Sequence, residues 1–224
     1  MPLIIFLVEC GIELIPKEIR SHSAVRKNLS AQIYSSQLLD NALHHSAMVN
    51  LKNSEKRGRP DIAHLSLLNA LGSPLNKNGN LRLFLHTIKN KIYEFNPDIR
   101  ISRNYNRFKG LMAKLLIDND INVNGTKLIS LFNGTIQDLL STFKDPKILQ
   151  FSKKGKLIQN YNELFLGDIS KNNIAIIGGF QKSTFSDEFL DLSKNLISIS
   201  NYSLDAWVVV GKVINFYELS HNII

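Results

Sequence analysis

IAIIGGF at residues 174–180 and ISISNYSL at residues 197–204 read as two buried strands, each ending in small, polar residues that expose their backbone. In an open α/β sheet, ligands bind outside the carboxyl ends of the strands. Glycines there let a backbone come close, and the next segment offers free amides. The two stretches therefore predict an α/β fold and the place in it where a cofactor sits.

The rest of the chain alternates apolar with amphipathic segments, the pattern of helices covering a sheet. Residues 3–8 read as a first buried strand, and 36–49 as a helix with Leu38, Leu39, Ala42, Leu43 and Ala47 on one face. The charged stretch 51–59 is expected to be a loop. A helix over 62–71 follows, with Gly72 as its C-cap and Pro74 just beyond. Asn78-Gly79 predicts a tight turn into a strand at 81–86. After a short extended piece at 99–101, Ser102 reads as the N-cap of a helix that turns Tyr105, Phe108, Leu111, Met112, Leu115 and Leu116 inward. Asn124-Gly125 marks a turn before 127–132, and 135–143 reads as a short helix. Strands at 148–151, 174–177 and 196–199 and a helix over 204–219 complete the chain. No shift in composition divides residues 1–224, so one domain is expected.

The apolar content of 44% allows a substantial core. The longest apolar runs, 3–8 and 206–210, are far short of the roughly 18–20 residues that span a bilayer, so no membrane partner is expected. The start carries no basic region of the kind that opens a signal peptide. The lone Cys10 cannot form an internal disulfide, which favours a reducing compartment, and it reads as a plain packed residue. Lys and Arg number 27 against 19 Asp and Glu, a net charge of +8 that favours a polyanion as partner.

The positions of those charges sharpen the reading. Arg100, Arg103 and Arg107 gather where the extended piece meets its helix, and the last two are four apart on one helical face. Arg57 and Arg59 occupy the preceding loop, where Asp61 is close enough to orient Arg59. A guanidinium fork suits phosphate and base edges. The plainer alternative is a solvated helix face with a loop ion pair, or Asp61 as a helix cap. Tyr105 and Phe108 have the spacing of core residues more than of base-stacking ones. His44, His45 and His64 lack a Cys or acidic partner at ligand spacing, so no metal is expected. There is no nucleophile elbow, phosphate-binding lysine loop or pair of catalytic carboxylates.

Four segments, LLDNALHHSAM (38–48), RGRPDIAHLSLLNALGSPLNKNGNL (57–81), RISRNYNRFKGLM (100–112) and ISISNYSLDA (197–206), resemble in order and spacing a known family. It is the ribosome-biogenesis SPOUT methyltransferases specific for pseudouridine N1, the nucleolar essential protein family. The resemblance implies a trefoil-knotted sheet with flanking helices, a homodimer, S-adenosylmethionine bound in the knot, and methylation of a pseudouridine in small-subunit rRNA. Topology rules alone favour an unknotted, doubly wound sheet.

Carried over by position, the family's RNA contacts fall on Arg59, Arg100, Arg103 and Arg107, with Asp61 holding and orienting Arg59. Its cofactor contacts fall on Phe151, Gly178, Gly179 and Ser183 and along Ile199, Ser200, Asn201, Tyr202, Ser203 and Leu204. Two positions depart from the family pattern. Lys182 or Ser183 stands where a glycine is common, and Ser203 stands where a proline is common, a serine that reads as N-cap of the last helix. The compact chain resembles archaeal members, which implies a cytoplasmic protein that works beside ribosome-assembly proteins. Two other readings share these residues: a non-catalytic rRNA-binding assembly factor, and the same site acting on tRNA.

Overall fold

All eight residues of β1 (Leu3–Cys10) are buried, as befits a strand covered on both faces. In this computed structural model, which describes residues 2–29, 37–165 and 172–223, β1 lies at the middle of the sheet. It pairs in parallel with β2 (Leu81–Thr87) on one side and β7 (Asn173–Gly178) on the other. Beyond β2 the sheet continues antiparallel through β3 (Ile92–Phe95), β5 (Thr126–Phe132) and β4 (Ile121–Val123). Beyond β7 it continues parallel through β6 (Lys147–Leu157) and β8 (Leu196–Ser198). Among the described residues the order is β4-β5-β3-β2-β1-β7-β6-β8.

The two-residue period of the strands sorts the core into two layers. Ile5, Leu7, Leu83, Leu85, Ala175 and Ile177 face α3 (Pro60–Gly72), α5 (Tyr105–Asp118) and α8 (Ala206–Ser220). Ile4, Phe6, Val8, Phe84, Ile174 and Ile176 face α6 (Ile136–Ser141) and α7 (Asp187–Leu190). Phe6 stacks on Phe84 at 4.9 Å, and Phe143 meets both edge-on at 6.4 Å. A smaller cluster ties α1 (Ser23–Lys27) to α2 (Asn41–Met48) through Val25, Leu39 and Met48.

Element boundaries move where a better cap competes. The helix expected over 36–49 begins at Asn41: Leu38 is bridged to Leu14, and the Asp40 carboxylate accepts the Ala42 N–H at 3.1 Å. Ser36 lies outside the described residues. Asn104, not Ser102, caps α5 by accepting the Arg107 N–H at 3.0 Å, and Ser102 accepts from Asn104. The burial of Ile99 and Ile101 keeps the chain extended, outside any strand, until that point. Gly72 ends α3 without serving as its cap. Ser73 closes α3 and opens α4 (Pro74–Lys77), accepting the Asn76 N–H at 3.1 Å. Asp205, not Ser203, stands at the N-cap of α8. The sequence reading also missed β3, whose Ile92, Tyr93 and Phe95 are buried.

The chain passes from β6 inward to β7 and then returns across β6 to reach β8. The crossing is tight. Phe151 pairs with Ile177 on one side and Ile197 on the other, after which residues 152–155 bulge out and Ile197 pairs again with Lys156. A Cβ at Gly155 would overlap the Ile197 backbone, so only glycine lets the two segments approach. No helix among the described residues is long and apolar enough to cross a membrane.

His86 makes the fold sensitive to pH. Its Nδ1 accepts the Glu9 backbone N–H at 3.2 Å, and the Phe189 ring lies 5.0 Å away. Burial, opposed by a hydrogen bond with Asn90, lowers its pKa from 6.5 to about 4. A proton on Nδ1 would also set one donor against another. The unfolded chain takes up this proton near pH 6.5 and the folded chain only near 4, so this contribution is complete above 6.5 and is lost as pH falls through that window. The loss amounts to about 3 kcal/mol. The His86 ring should titrate near pH 4 by NMR while the denaturation midpoint falls between pH 6.5 and 4; a ring that titrates near 6.5 would contradict this account.

Candidate active site

Three parallel strand ends meet at Phe151. Beyond it the bulge of β6, the end of β7 and the turn after β8 draw apart around an open cleft of about 280 Å³. That is near the lower end of the roughly 300–1,000 Å³ common for small-molecule sites. Phe151, Ile177, Ile197, Ile199 and Leu204 give it apolar walls, and Ser183, Thr184, Ser200 and Ser203 add hydroxyls. The turn after β8 is held locally, with the Ser198 hydroxyl on the Ser200 carbonyl at 2.8 Å and the Ser200 hydroxyl accepting the Tyr202 N–H at 3.0 Å.

Most residues expected at a cofactor line this cleft: Phe151, Gly178, Ser183, Ile199, Ser200, Tyr202, Ser203 and Leu204. Gly179 and Asn201 are not among the lining residues. Gly179 packs on Cys10 and donates its N–H to the Val8 carbonyl at 2.7 Å, which ties the loop after β7 to the end of β1. Cys10 is fully buried; burial first, and the nearby Glu9 charge second, push its thiol well above the ordinary range, so it is inert packing. Sequence reasoning missed Lys153 and Lys154 on the β6 bulge, Phe180 and Phe185 in the loop after β7, and Ala206 and Val209 on α8. Gly155 inside a strand pattern was the available signal for the bulge.

The arginines separate into two kinds. Arg100, Arg103 and Arg107 are exposed, and no ion pair or hydrogen bond engages their guanidinium groups among the described residues. Arg59 is fixed: its Nε and Nη2 donate to Asp61 Oδ1 and Oδ2 at 2.8 and 2.6 Å. These hydrogen bonds raise the Arg59 pKa against the opposing effect of burial, and the charges of Asp61 and Asp205 add to the rise. Arg57 is neutralised instead by a buried partner, its Nε and Nη2 donating to Glu13 at 2.5 and 2.7 Å. Phe108 is core, stacked 4.4 Å from His64. Tyr105 is half-buried with its hydroxyl on Asp40 at 3.3 Å, and Lys109 lies over its ring at 4.6 Å.

The two halves of the site adjoin. A second depression, of about 220 Å³, is lined by Arg59, Asn41, His45, Gln181 and Lys182, and Gln181 also lines the cleft. The loop 181–183 is thus the wall between the strand-end cleft and the Arg59–Asp61 pair. Asp205, which follows the lining residue Leu204, contributes to the field at Arg59.

The chain is similar to known proteins. The chain is 42% identical to a ribosomal RNA small subunit methyltransferase Nep1 of Staphylothermus marinus, across 100% of this chain and 98% of the relative. It is 38% identical to the one of Saccharolobus solfataricus, covering 95% of each. The crystal structure of Archaeoglobus fulgidus Nep1 bound to S-adenosylhomocysteine superposes with a TM-score of 0.88 at 33% identity, over 99% of this chain and 100% of that one. The sheet with its flanking helices is accordingly of the SPOUT type. Residues 5–218 match the EMG1/NEP1 methyltransferase family, and the chain belongs to that family.

Proposed function

We propose that this chain transfers a methyl group from S-adenosylmethionine to N1 of a pseudouridine in small-subunit rRNA, as part of small-subunit biogenesis in the cytoplasm. The observation that carries the reading is the shared wall at Gln181, which puts the cleft beside the paired Arg59 and Asp61. The lining suits the cofactor: Phe151, Ile177, Ile197 and Leu204 can enclose an adenine. The hydroxyls of Ser183, Thr184, Ser200 and Ser203 suit a ribose and an amino-acid carboxylate. Cofactor contacts are assigned to the lining residues, with Gly179 and Asn201 supporting their loops. When bound, S-adenosylmethionine supplies an electrophilic methyl group on a sulfonium.

The protein's part is orientation. Fixing a nucleophile in line with its target is worth up to about 7–11 kcal/mol of barrier. Arg59, locked by both oxygens of Asp61, is preorganised to meet the uracil carbonyls, where charge accumulates as N1 gives up its proton to water. Asp61 acts as the orienting partner. Arg100, Arg103 and Arg107 hold the RNA backbone, and the target base is reached unstacked or in a loop. The return of the chain across β6 to β8, with Gly155 against Ile197, supports threading as a trefoil knot. Leu65 of α3 and Leu219 of α8, 38% and 65% exposed, leave apolar surface suited to a second copy, and we assign the chain to homodimers.

Three measurements test these points. Calorimetry should detect S-adenosylmethionine binding, and labelled methyl should reach a loop RNA carrying pseudouridine but not the same RNA with uridine. Cofactor binding without transfer to either RNA would favour a non-catalytic rRNA-binding assembly factor. Arg103→Ala and Arg107→Ala should each weaken RNA binding and reduce the slope of log affinity against log salt by roughly 0.7; unchanged affinity and slope in both would remove these residues from the RNA site. Sedimentation at micromolar concentration should give twice the 25.4 kDa chain mass, and a monomer would refute the dimer.

A further inference from the structure

The end of β1 carries a buried carboxylate that the proposed chemistry does not use. Glu9 is 5% exposed and sits at φ 54, a left-handed conformation that a non-glycine residue keeps only when its surroundings hold it there. Its two oxygens go to different loops. Oε1 accepts from Lys56 Nζ at 2.7 Å, in the loop that leads to Arg59. Oε2 accepts from the Ser186 backbone N–H at 3.2 Å, in the loop that follows β7 and walls the cleft. The Lys56 ammonium also lies 4.9 Å from the centre of the cleft-lining Phe180 ring.

The neighbours of Glu9 make this a rigid link. A Cβ at Gly11 would stand 2.7 Å from the Lys56 carbonyl oxygen and 3.0 Å from the Arg59 nitrogen, so the Lys56–Arg59 backbone lies directly on the segment after β1. A buried carboxylate with one oxygen unpaired carries a desolvation cost. Glu9 is therefore satisfied only when both loops are seated at once.

Resting on the functional reading above, we infer that Glu9 is a positioning residue that couples the cofactor cleft to Arg59. A ligand that seats either loop lowers the cost of seating the other, which is positive cooperativity, and linkage requires it to be reciprocal. Cofactor binding in the cleft thereby readies Arg59 and Asp61 for RNA.

The test is a thermodynamic cycle on the full chain with S-adenosylhomocysteine, which cannot react, and a loop RNA carrying pseudouridine. In the parent chain each ligand should tighten the other by the same factor, roughly 5- to 150-fold. Glu9→Gln replaces one of the two accepting oxygens with an NH2 that faces a donor, so only one loop stays tied and its factor should fall toward 1 while each ligand still binds alone. Lys56→Met removes the ammonium and leaves the Ser186 N–H on Glu9, so only one loop stays tied; its factor should fall as well. A factor of 1 in the parent, or the full parental factor in either folded variant, overturns the coupling. Failure of the parent chain to bind one of the two ligands counts against the functional reading instead.

Discussion

Two carboxylates buried where β1 runs out constrain the functional end of the sheet. Glu9 and Glu13 are 5% and 3% exposed, and each must meet a cation or a donor. Glu13 takes Arg57 through both oxygens, with Lys89 3.6 Å away, and Glu9 takes Lys56 and the Ser186 amide. Breaking a buried pair by removing one partner typically costs about 3–5 kcal/mol, against a net stability of about 5–15 kcal/mol for a domain. The 56–61 loop is therefore anchored by Lys56 and Arg57 before Arg59 is placed. Its neighbour in sequence, Pro60, opens α3, and Asp61 in the first helical turn holds the Arg59 fork while it complements the helix dipole.

This anchoring explains which parts of the site were legible in the sequence. Long apolar runs and strong helical periodicity gave the central strands, α3, α5 and α8, because burial on a fixed period leaves a direct trace in residue type. The paired Arg59 and Asp61 were visible because the partners are two residues apart. Arg57 was not separable from Arg59 by spacing: its partner, Glu13, is 44 residues away, and only the fold brings them together. β3 was missed because a four-residue strand between a turn and a loop carries too little alternation, and its register is set by β2 and β5 on either side. Two caps lie two residues from where the sequence suggests, because Ser102 and Asn104, or Ser203 and Asp205, are chemically interchangeable there. Burial of Ile99 and Ile101 decides the first case.

The cleft follows from a defect in pairing. Strands in perfect register would bring Phe151, Ile177 and Ile197 to one flat edge with no room for a ligand. Residues 152–155 bulge instead, and β6 recovers its pairing only at Lys156 and Leu157. The bulge puts two lysines at the mouth of a cleft whose floor is apolar, and the glycine that closes it lets β6 and β8 touch. The SPOUT family resemblance located this region; the bulge that shapes it is readable only from the register.

The division among the arginines follows from the same physics. Arg100, Arg103 and Arg107 are exposed and, among the described residues, their guanidinium groups have no ion-pair partner, so they are free to exchange water and counterions for phosphate, a sequence-independent contribution that falls with salt. Arg59 has already lost freedom to Asp61, with 19% of its side chain exposed, and so meets a ligand with less orientational cost. A fixed fork beside the cleft suits recognition of a single base, whereas mobile forks on the α5 face suit a flexible backbone. The locked pair is also the one bound, through Lys56 and Glu9, to the loop that walls the cleft. Under the proposed function, selectivity for the reacting nucleoside falls to the arginine whose geometry the buried carboxylates control.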